Sequence, residues 1–338
     1  PVDFPVPRGP PLGLLGVGGA GVLLRKRGVG PGDRRTGQVL QVGQAARQML
    51  GRTPGDLVAV RPLRDGLIDH CTVAEAMVRA FLQKAAPGRL LKPRLLIGVP
   101  SGISEVAERA VVEAGLQAGA RRVYLMEEPL AAALGAGIDI QQPEGHMVVD
   151  IGGGTTDVAV AALGGVVASA CLTTAGDQLD QALIQYVRQK HGLLLGARSA
   201  EEAKCAIGQV SGPGEETLAV KGRCLSTGLP REVVLSGAET AEAFAPVAEA
   251  IAAAVQTVLE RTPPGLAADV AVSGILLTGG GSLLRGMDDL LAHRTGIPAH
   301  RAEDPLQAVA LGLEKVLPTL SRRQEGVLNL SQRRQLTG

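Results

Sequence analysis

Residues 147–163 read MVVDIGGGTTDVAVAAL, and the fold turns on them. An apolar run from Met147 to Val149 leads into Asp150. Then come Ile151, the glycines Gly152, Gly153 and Gly154, the threonines Thr155 and Thr156, and Asp157; a second apolar run spans Val158 to Leu163. Short apolar runs on either side of a glycine cluster predict strand, tight turn, strand. Glycine permits positive φ and lets a backbone come close to a ligand. Successive backbone N–H groups in such a turn form an anion nest, to which threonine hydroxyls add donors. A carboxylate does not touch a phosphate directly, so Asp150 suits a magnesium ion held through water. The residues leave two readings open, a triphosphate clamp and an ordinary glycine-rich hairpin. No GxxxxGK[ST] P-loop occurs, and the turn runs back into a strand rather than into the helix of a dinucleotide fingerprint.

Downstream, Val166 to Leu172 extends the hairpin to a meander. Asp177 opens a helix to Gln189 with Leu179, Leu183, Ile184 and Val187 as its apolar stripe. Ala200-Glu201-Glu202-Ala203-Lys204 begins another helix; Glu201 and Lys204, three apart, share a face, which fits a surface ion pair or a ligand-facing pair. Residues 212–236 predict strands near 217–221 and 232–235, and Thr240–Leu259 a long Ala-rich helix. The strand Ile275–Thr278 then ends in Gly279-Gly280-Gly281-Ser282-Leu283, ahead of a helix expected over Leu284–Arg294. Strand, glycine turn and helix N-terminus make a second nucleotide cradle. A last helix is expected at 306–317.

Upstream, Arg122–Met126 is a strand that delivers Glu127-Glu128-Pro129, followed by a small-residue helix from Ala131 to Gly135. Arg94–Val99 is a buried strand, and Ser101 or Ser104 caps the helix Glu105–Ala118. Thr72–Lys84 is amphipathic, with Val73, Ala76, Met77, Ala80 and Phe81 on one face. Short strands at Val39–Val42 and Val58–Val60 flank a short helix, Gln44–Leu50. Residues 1–32 are so broken by Pro and Gly that no strand or helix period survives.

The bulk numbers limit the function classes. A chain of 338 residues accommodates two domains. Only two Tyr, three Phe and no Trp are present, which argues against a stacking platform for single-stranded nucleic acid, as does a net charge of +1. The ends are basic: Lys and Arg outnumber Asp and Glu over 1–61, and Arg322, Arg323, Arg333 and Arg334 face only Glu325 after residue 317. Such ends suit an anionic membrane surface or plain solvation. Cys71, Cys171, Cys205 and Cys224 are scattered without zinc spacing, as in a reducing cytosol. No run of 18 apolar residues predicts a membrane span, and Arg25-Lys26-Arg27 lies behind the apolar stretch 12–24, the wrong order for a signal peptide.

The motifs resemble, in order and spacing, the MreB family of bacterial actin homologues, within the actin, Hsp70 and sugar-kinase superfamily. The resemblance rests on the 147–163 hairpin, EEPLAAALGAG from Glu127, LTGGGSLLRG from Leu277 and AEDPLQAVALG from Ala302. It runs over 33–317. The family's first phosphate loop, Asp-Leu-Gly-Thr, has no counterpart in 1–32, and that opening is read as truncated, divergent or frame-disrupted. Asp157 stands where the family usually has Glu.

The resemblance implies an α/β, actin-like (ribonuclease H-like) two-lobed ATPase fold with a nucleotide cleft between lobes and an incomplete first lobe. Lobe I would span 1–146, with subdomain IA at 1–32 and 77–146 and IB at 33–76. Lobe II would span 147–317, with IIA at 147–180 and 240–317 and IIB at 181–239, leaving a polar tail at 318–338. The implied ligands are ATP and Mg²⁺. Glu128, on the first hinge segment, would orient the attacking water, assisted by Thr156. Asp150 would hold magnesium through water; Gly152, Gly153, Gly154 and Thr155 would cradle the phosphates. Asp177, Glu201, Glu202, Ala203 and Lys204 would meet the ribose and base, and Gly279, Gly280, Gly281, Ser282 and Leu283 the adenosine. The implied role is a cell-shape-determining cytoskeletal protein in the cytoplasm, peripheral to the inner membrane. Its partners would be its own copies in head-to-tail filaments, the inner face of the membrane and cell-wall elongation proteins. The alternatives are a nucleotide-binding-impaired relative acting as an interaction protein, and an Hsp70- or sugar-kinase-like ATPase.

Overall fold

The computed structural model describes residues 12–15, 21–25, 38–43, 57–64, 66–85, 92–322 and 328–329, with single positions at 46, 49 and 53. The chain divides into two compact units, 1–127 with 310–338, and 128–309. The sequence placed the division at 146/147 instead. The difference is the helix that starts at Glu128: it packs on the strands of the 147–163 hairpin and so falls in the second unit.

The first unit contains β1 (Leu12–Leu15), β2 (Gly21–Arg25), β3 (Gln38–Gly43), β4 (Leu57–Val60), β5 (Leu63–Arg64), β6 (Leu67–Ile68), α1 (Cys71–Ala85), β7 (Arg94–Val99), α2 (Glu105–Gln117) and β8 (Arg122–Glu127). β1, β7 and β8 are parallel neighbours in one sheet, and β2 lies between β3 and β4 in a second. Two strands therefore form inside the stretch where no period was legible. A four-residue strand is too short to show alternation, and the partner that makes β1 a strand is β7, far along the chain. The expected helix Gln44–Leu50 lies outside the described residues apart from Ala46 and Met49. α1 buries Val73, Ala74, Met77, Val78 and Leu82, a face rotated slightly from the expected one, and Ser104 caps α2 by accepting from Ala107 N at 3.3 Å. The core joins Val78 and Leu82 to Leu95, Ile97, Val112, Val123 and Leu125.

The second unit contains α3 (Glu128–Gly135), β9 (His146–Ile151), β10 (Thr156–Ala162), β11 (Gly165–Leu172), α4 (Gly176–His191), β12 (Leu193–Leu194), α5 (Ala197–Ile207), β13 (Thr217–Cys224), β14 (Pro230–Ser236), α6 (Gly237–Arg261), α7 (Pro264–Ser273), β15 (Ile275–Thr278), α8 (Met287–Thr295) and β16 (Ala299–Arg301). The chain returns to the first unit within α9 (Ala308–Val316), and β17 (Leu328–Asn329) pairs with β8. A five-stranded mixed sheet runs β11-β10-β9-β15-β16, and β12, β13 and β14 form a small antiparallel sheet. Leu163 and Gly164 join β10 to β11 with φ of 50° and 71°, the positive pair of a type I′ hairpin, whose twist suits the flanking strands.

β10 is buried on both faces, so it reads as a continuous apolar run rather than an alternating one. The core of this unit sets Met147, Val149, Ile151, Val158 and Val160 against Leu179, Leu183, Phe244, Ile251 and Val255. Among the described helices, α6 has the length and composition to cross a membrane; its Phe244, Ile251, Val255 and Val258 are instead fully buried in that core. The sequence expected an α-helix to start at Leu284. A 3-10 turn, Gly280–Leu283, comes first, and α8 begins at Met287.

Candidate functional site

All residues described here lie in the second unit. β9 ends at Asp150-Ile151, β10 begins at Thr156, and Gly152 N donates to Thr155 O at 2.8 Å, closing the glycine turn. None of Gly152, Gly153 and Gly154 has positive φ. The glycines serve closeness instead. A Cβ on Gly152 would lie 3.0 Å from Thr155 O, whereas one on Gly153 would meet nothing of the chain within 4 Å. That open side is room for a ligand. From the other direction the turn is fastened to α4: Gly176 N donates to Gly152 O at 3.1 Å and Asp177 N to Gly153 O at 2.7 Å. Two of the N–H groups left over at a helix start are thereby satisfied by the turn's own carbonyls.

Strand register builds a row of polar side chains across the sheet. Thr278 on β15 pairs with Asp150 on β9, Asp150 with Asp157 on β10, and Asp157 with Cys171 on β11. Thr278 Oγ1 donates to Asp150 Oδ1 at 2.9 Å. α3 begins at Glu128 and packs on β9 and β10, which sets the Glu128 carboxyl beside the row. Burial pushes Asp150 up to about 6, against the pull of the Thr278 hydroxyl. Burial, then the charges of Asp150 and Asp157, hold Glu128 well above the usual carboxylate range. Glu127, the neighbouring acid, ends β8 and falls in the first unit.

The second glycine turn packs onto the first strand of the hairpin. Gly279 has φ 77°, and a Cβ there would lie 2.3 Å from Ile151 O and 2.7 Å from Asp150 Oδ1. A Cβ on Gly281 would lie 2.2 Å from Ile151 Cγ2. Ser282 is fully buried and donates to Gly279 O at 2.6 Å, locking the turn. Gly280 abuts Leu306, and Leu283 and Leu306 are exposed apolar side chains.

Lys204, on α5, reaches back to the α4 start. Its Nζ lies 2.8 Å from Asp180 Oδ1 and donates to Gly176 O at 2.9 Å. Burial raises Asp180 to about 6; Lys204 pulls it down, while Glu201 and Asp177 push it up. Lys204 thus sits among Asp177, Asp180 and Glu201. Helical period separates the remaining two residues expected to meet the nucleotide: Ala203 is fully buried in the core, and Glu202 pairs with Arg198 on the exposed face. Thr156 is fully buried and its hydroxyl donates to Thr174 O at 2.7 Å, so that proton is committed to the backbone. Thr278, Asp180 and Cys171 were not singled out from the sequence. Their only local signals were a Thr ending the strand before GGG and an acid three residues after Asp177.

Among the described residues no three His, Cys, Asp or Glu side chains are arranged to hold a metal by themselves. A buried oxygen-only set such as Asp150 with its neighbours fits a hard cation that keeps most of its waters and shares phosphate oxygens, as Mg²⁺ does.

A family model described as MreB/Mbl protein matches residues 11–325. The match starts well before Asp33, so β1 and β2 fall within it and the resemblance is not confined to 33–317. The chain is 45% identical over 311 residues to the cell shape-determining protein Mbl of Bacillus cereus, covering 91% of this chain and 93% of that one. It is 44% identical over 323 residues to the cell shape-determining protein MreB of Escherichia coli, covering 93% of each. MreB5 of Spiroplasma citri, solved bound to ADP, superimposes with a TM-score of 0.82 at 31% identity over 89% of both chains, and its AMPPNP-bound form does so at 32% identity.

Proposed function

The chain belongs to the MreB/Mbl family and has an actin-like fold, and from that premise we propose that it is a cell-shape-determining cytoskeletal protein that binds adenine nucleotide and polymerises. The observation that carries the nucleotide assignment is the convergence on Asp150: the Gly152–Thr155 turn follows it, Thr278 bonds it, and Gly279 approaches it so closely that no side chain fits between. The ADP and AMPPNP carried by the Spiroplasma citri relative support the same assignment. Family membership displaces the chaperone and sugar-kinase alternatives.

The open side of Gly153 and the backbone of 152–155 receive the β- and γ-phosphates of ATP. Lys204, held by Asp180, faces the sugar side together with Glu201 and Asp177. The Gly279–Leu283 turn receives the adenosine, with Leu283 and Leu306 as apolar surface. Asp150 holds Mg²⁺ through water; when bound, the ion offsets charge on the phosphoryl group in transfer. Glu128 orients the attacking water from a position where burial and the charges of Asp150 and Asp157 hold its carboxyl well above the usual carboxylate range. Thr156, whose hydroxyl proton is used by Thr174, acts through its remaining lone pair. Hydrolysis is slow and serves as a timer for filament stability.

Subunits join head to tail, a heterologous contact that does not close and so extends as a filament. The filaments lie in the cytoplasm against the inner face of the membrane and organise cell-wall elongation proteins, without nucleic acid. Sedimentation with and without ATP and Mg²⁺, alongside phosphate release by the protein and its Glu128→Ala variant, tests these roles. Nucleotide-dependent pelleting and loss of release in the variant are expected. Absence of ATP binding would overturn the nucleotide assignment, and equal release from both proteins would overturn the role of Glu128.

A further inference from the structure

In the first unit, β3 and α1 enclose a cleft of about 720 Å³, a size within the range of binding clefts. One wall is residues 39–42 of β3; the other is Ala76, Arg79, Ala80, Gln83 and Lys84 of α1, whose spacing is that of one helical face. β3 is the edge of its sheet: β2 pairs with it on one side, and among the described residues no strand pairs with it on the other. The neighbouring face of α1, with Val73 and Met77, packs in a small core with Val42. α1 therefore continues past the edge strand, and its next stripe lies where one more strand would run. Four strand residues span about 13 Å and eight helical residues about 12 Å, so the two walls match in length.

The floor of the α1 wall is small and apolar at Ala76 and Ala80, and the two ionisable groups that line the cleft are cations. Arg79 pairs with Glu75 and donates to Gln117 O at 3.0 Å, which fixes it at the rim and offsets its charge. Lys84 is exposed and, among the described residues, has no ion-pair partner, so it is the uncompensated charge of the cleft. The backbone adds a further sign. Leu23 pairs with Gln41 and Leu24 with Val39, so Leu40 is an extra residue, a β-bulge, and its exposed side chain lines the cleft. A bulge re-aims a side chain and spoils the flat edge on which two copies of a sheet would join. A short segment can still use the alternate N–H and C=O groups that an edge strand turns outward.

We propose that this cleft takes an extended, acidic segment of a partner protein, with apolar residues at alternate positions, which adds to β3 as a further strand. Main-chain hydrogen bonds to β3 supply affinity, and alternate side chains supply specificity. The apolar ones meet Ala76, Ala80 and Leu40. An acidic one meets Lys84, whose charge selects against basic segments.

The test is fluorescence anisotropy of a labelled peptide that alternates valine and glutamate, with the whole protein and its Lys84→Glu variant. A valine–lysine peptide serves as the charge control. Two further forms of the valine–glutamate peptide carry N-methyl groups on the valine amides or on the glutamate amides, which block one strand edge each and keep every side chain. The valine–glutamate peptide is expected to bind wild type about tenfold more tightly than the valine–lysine peptide, and Lys84→Glu to reverse that order. One N-methylated form is expected to lose binding and the other to keep it. No binding of the valine–glutamate peptide up to about 1 mM overturns the proposal. Equal binding by both N-methylated forms overturns strand addition, and equal binding by the lysine peptide overturns the role of Lys84. If Lys84→Glu leaves peptide binding unchanged but loses nucleotide-dependent pelleting or adhesion to phosphatidylglycerol vesicles, the cleft belongs to a second copy or to a membrane, and the proposal falls.

Discussion

Thr278 on β15 donates its hydroxyl to Asp150 on β9 at 2.9 Å, and the two are register partners on adjacent parallel strands. The bond is buried, so the carboxylate has little water to replace it. Thr278→Val keeps the branched shape and removes the donor. A hydrogen bond to a charged group contributes about 1.5–3 kcal/mol, and that is the expected loss in unfolding free energy, accompanied by weaker ATP–Mg²⁺ binding. Denaturant unfolding and nucleotide titration measure the two effects; a Val variant matching wild type in both would show that Asp150 needs no such support.

Lys204 and Asp180 form a buried ion pair at 2.8 Å. Removing one partner strands the other, at a cost of about 3 kcal/mol. Lys204→Met should be destabilised to that degree, and adding Asp180→Asn should return most of it, because the stranded charge is gone. Urea unfolding of the two single variants and the double variant gives the coupling; strictly additive losses would count against the pair.

Asp180 also predicts a pH dependence. Its folded pKa is raised to about 6, above the ordinary aspartate value of 3.8 that it keeps in the unfolded chain. The folded state therefore holds more protons than the unfolded state between these limits. The stabilisation from the neutral form is complete below the unfolded value and is lost as pH rises through about 6. Asp180→Asn should flatten this part of the stability curve relative to wild type. An unchanged slope between pH 4 and 6 would contradict the raised carboxyl.

Gly153 and Gly279 predict opposite outcomes for the same change. Gly279→Ala forces a Cβ to within 2.3 Å of a backbone carbonyl at a φ of 77°, so the second unit should lose several degrees of thermal stability or fail to fold. Gly153→Ala meets nothing of the chain within 4 Å, so it should fold as wild type and bind ATP about tenfold more weakly, because the methyl occupies ligand space. Thermal melts with and without ATP read both. Unchanged ATP affinity in a well-folded Gly153→Ala would mean that the phosphates lie elsewhere.

The start of α6 is held by a reciprocal cap: Ser236 Oγ accepts from Glu239 N at 3.3 Å, and Ser236 N donates to Glu239 Oε2 at 2.9 Å. Ser236→Ala should cost about 1 kcal/mol without touching nucleotide binding. Loss of ATP affinity in that variant would show that α6 is coupled to the site.

Much of the second unit was legible because its signals are local. The glycine turn between apolar runs, the stripe of α4, the capped start of α2 and the strand before Gly279 each reveal themselves within a dozen residues. Even the side-by-side placement of Glu201 and Lys204 follows from helical spacing, although what Lys204 touches does not. The start of α3 at Glu128 was misplaced by a few residues, since Pro129 reads as a break until it is seen to occupy a first helical turn, where its missing N–H costs nothing. β1 and β2 were missed because their partners, not their composition, make them strands.

The sequence by itself determined the family, the hairpin, the two glycine turns and the acids at strand ends, because turn chemistry and periodicity are properties of neighbouring residues. Only the tertiary structure decided that Thr278, Asp150, Asp157 and Cys171 stand in one row with Glu128 beside it. That row arises from register between strands up to 128 residues apart and from the helix packed across them. Register is settled by which faces can be buried together, and no stretch of chain carries that information alone.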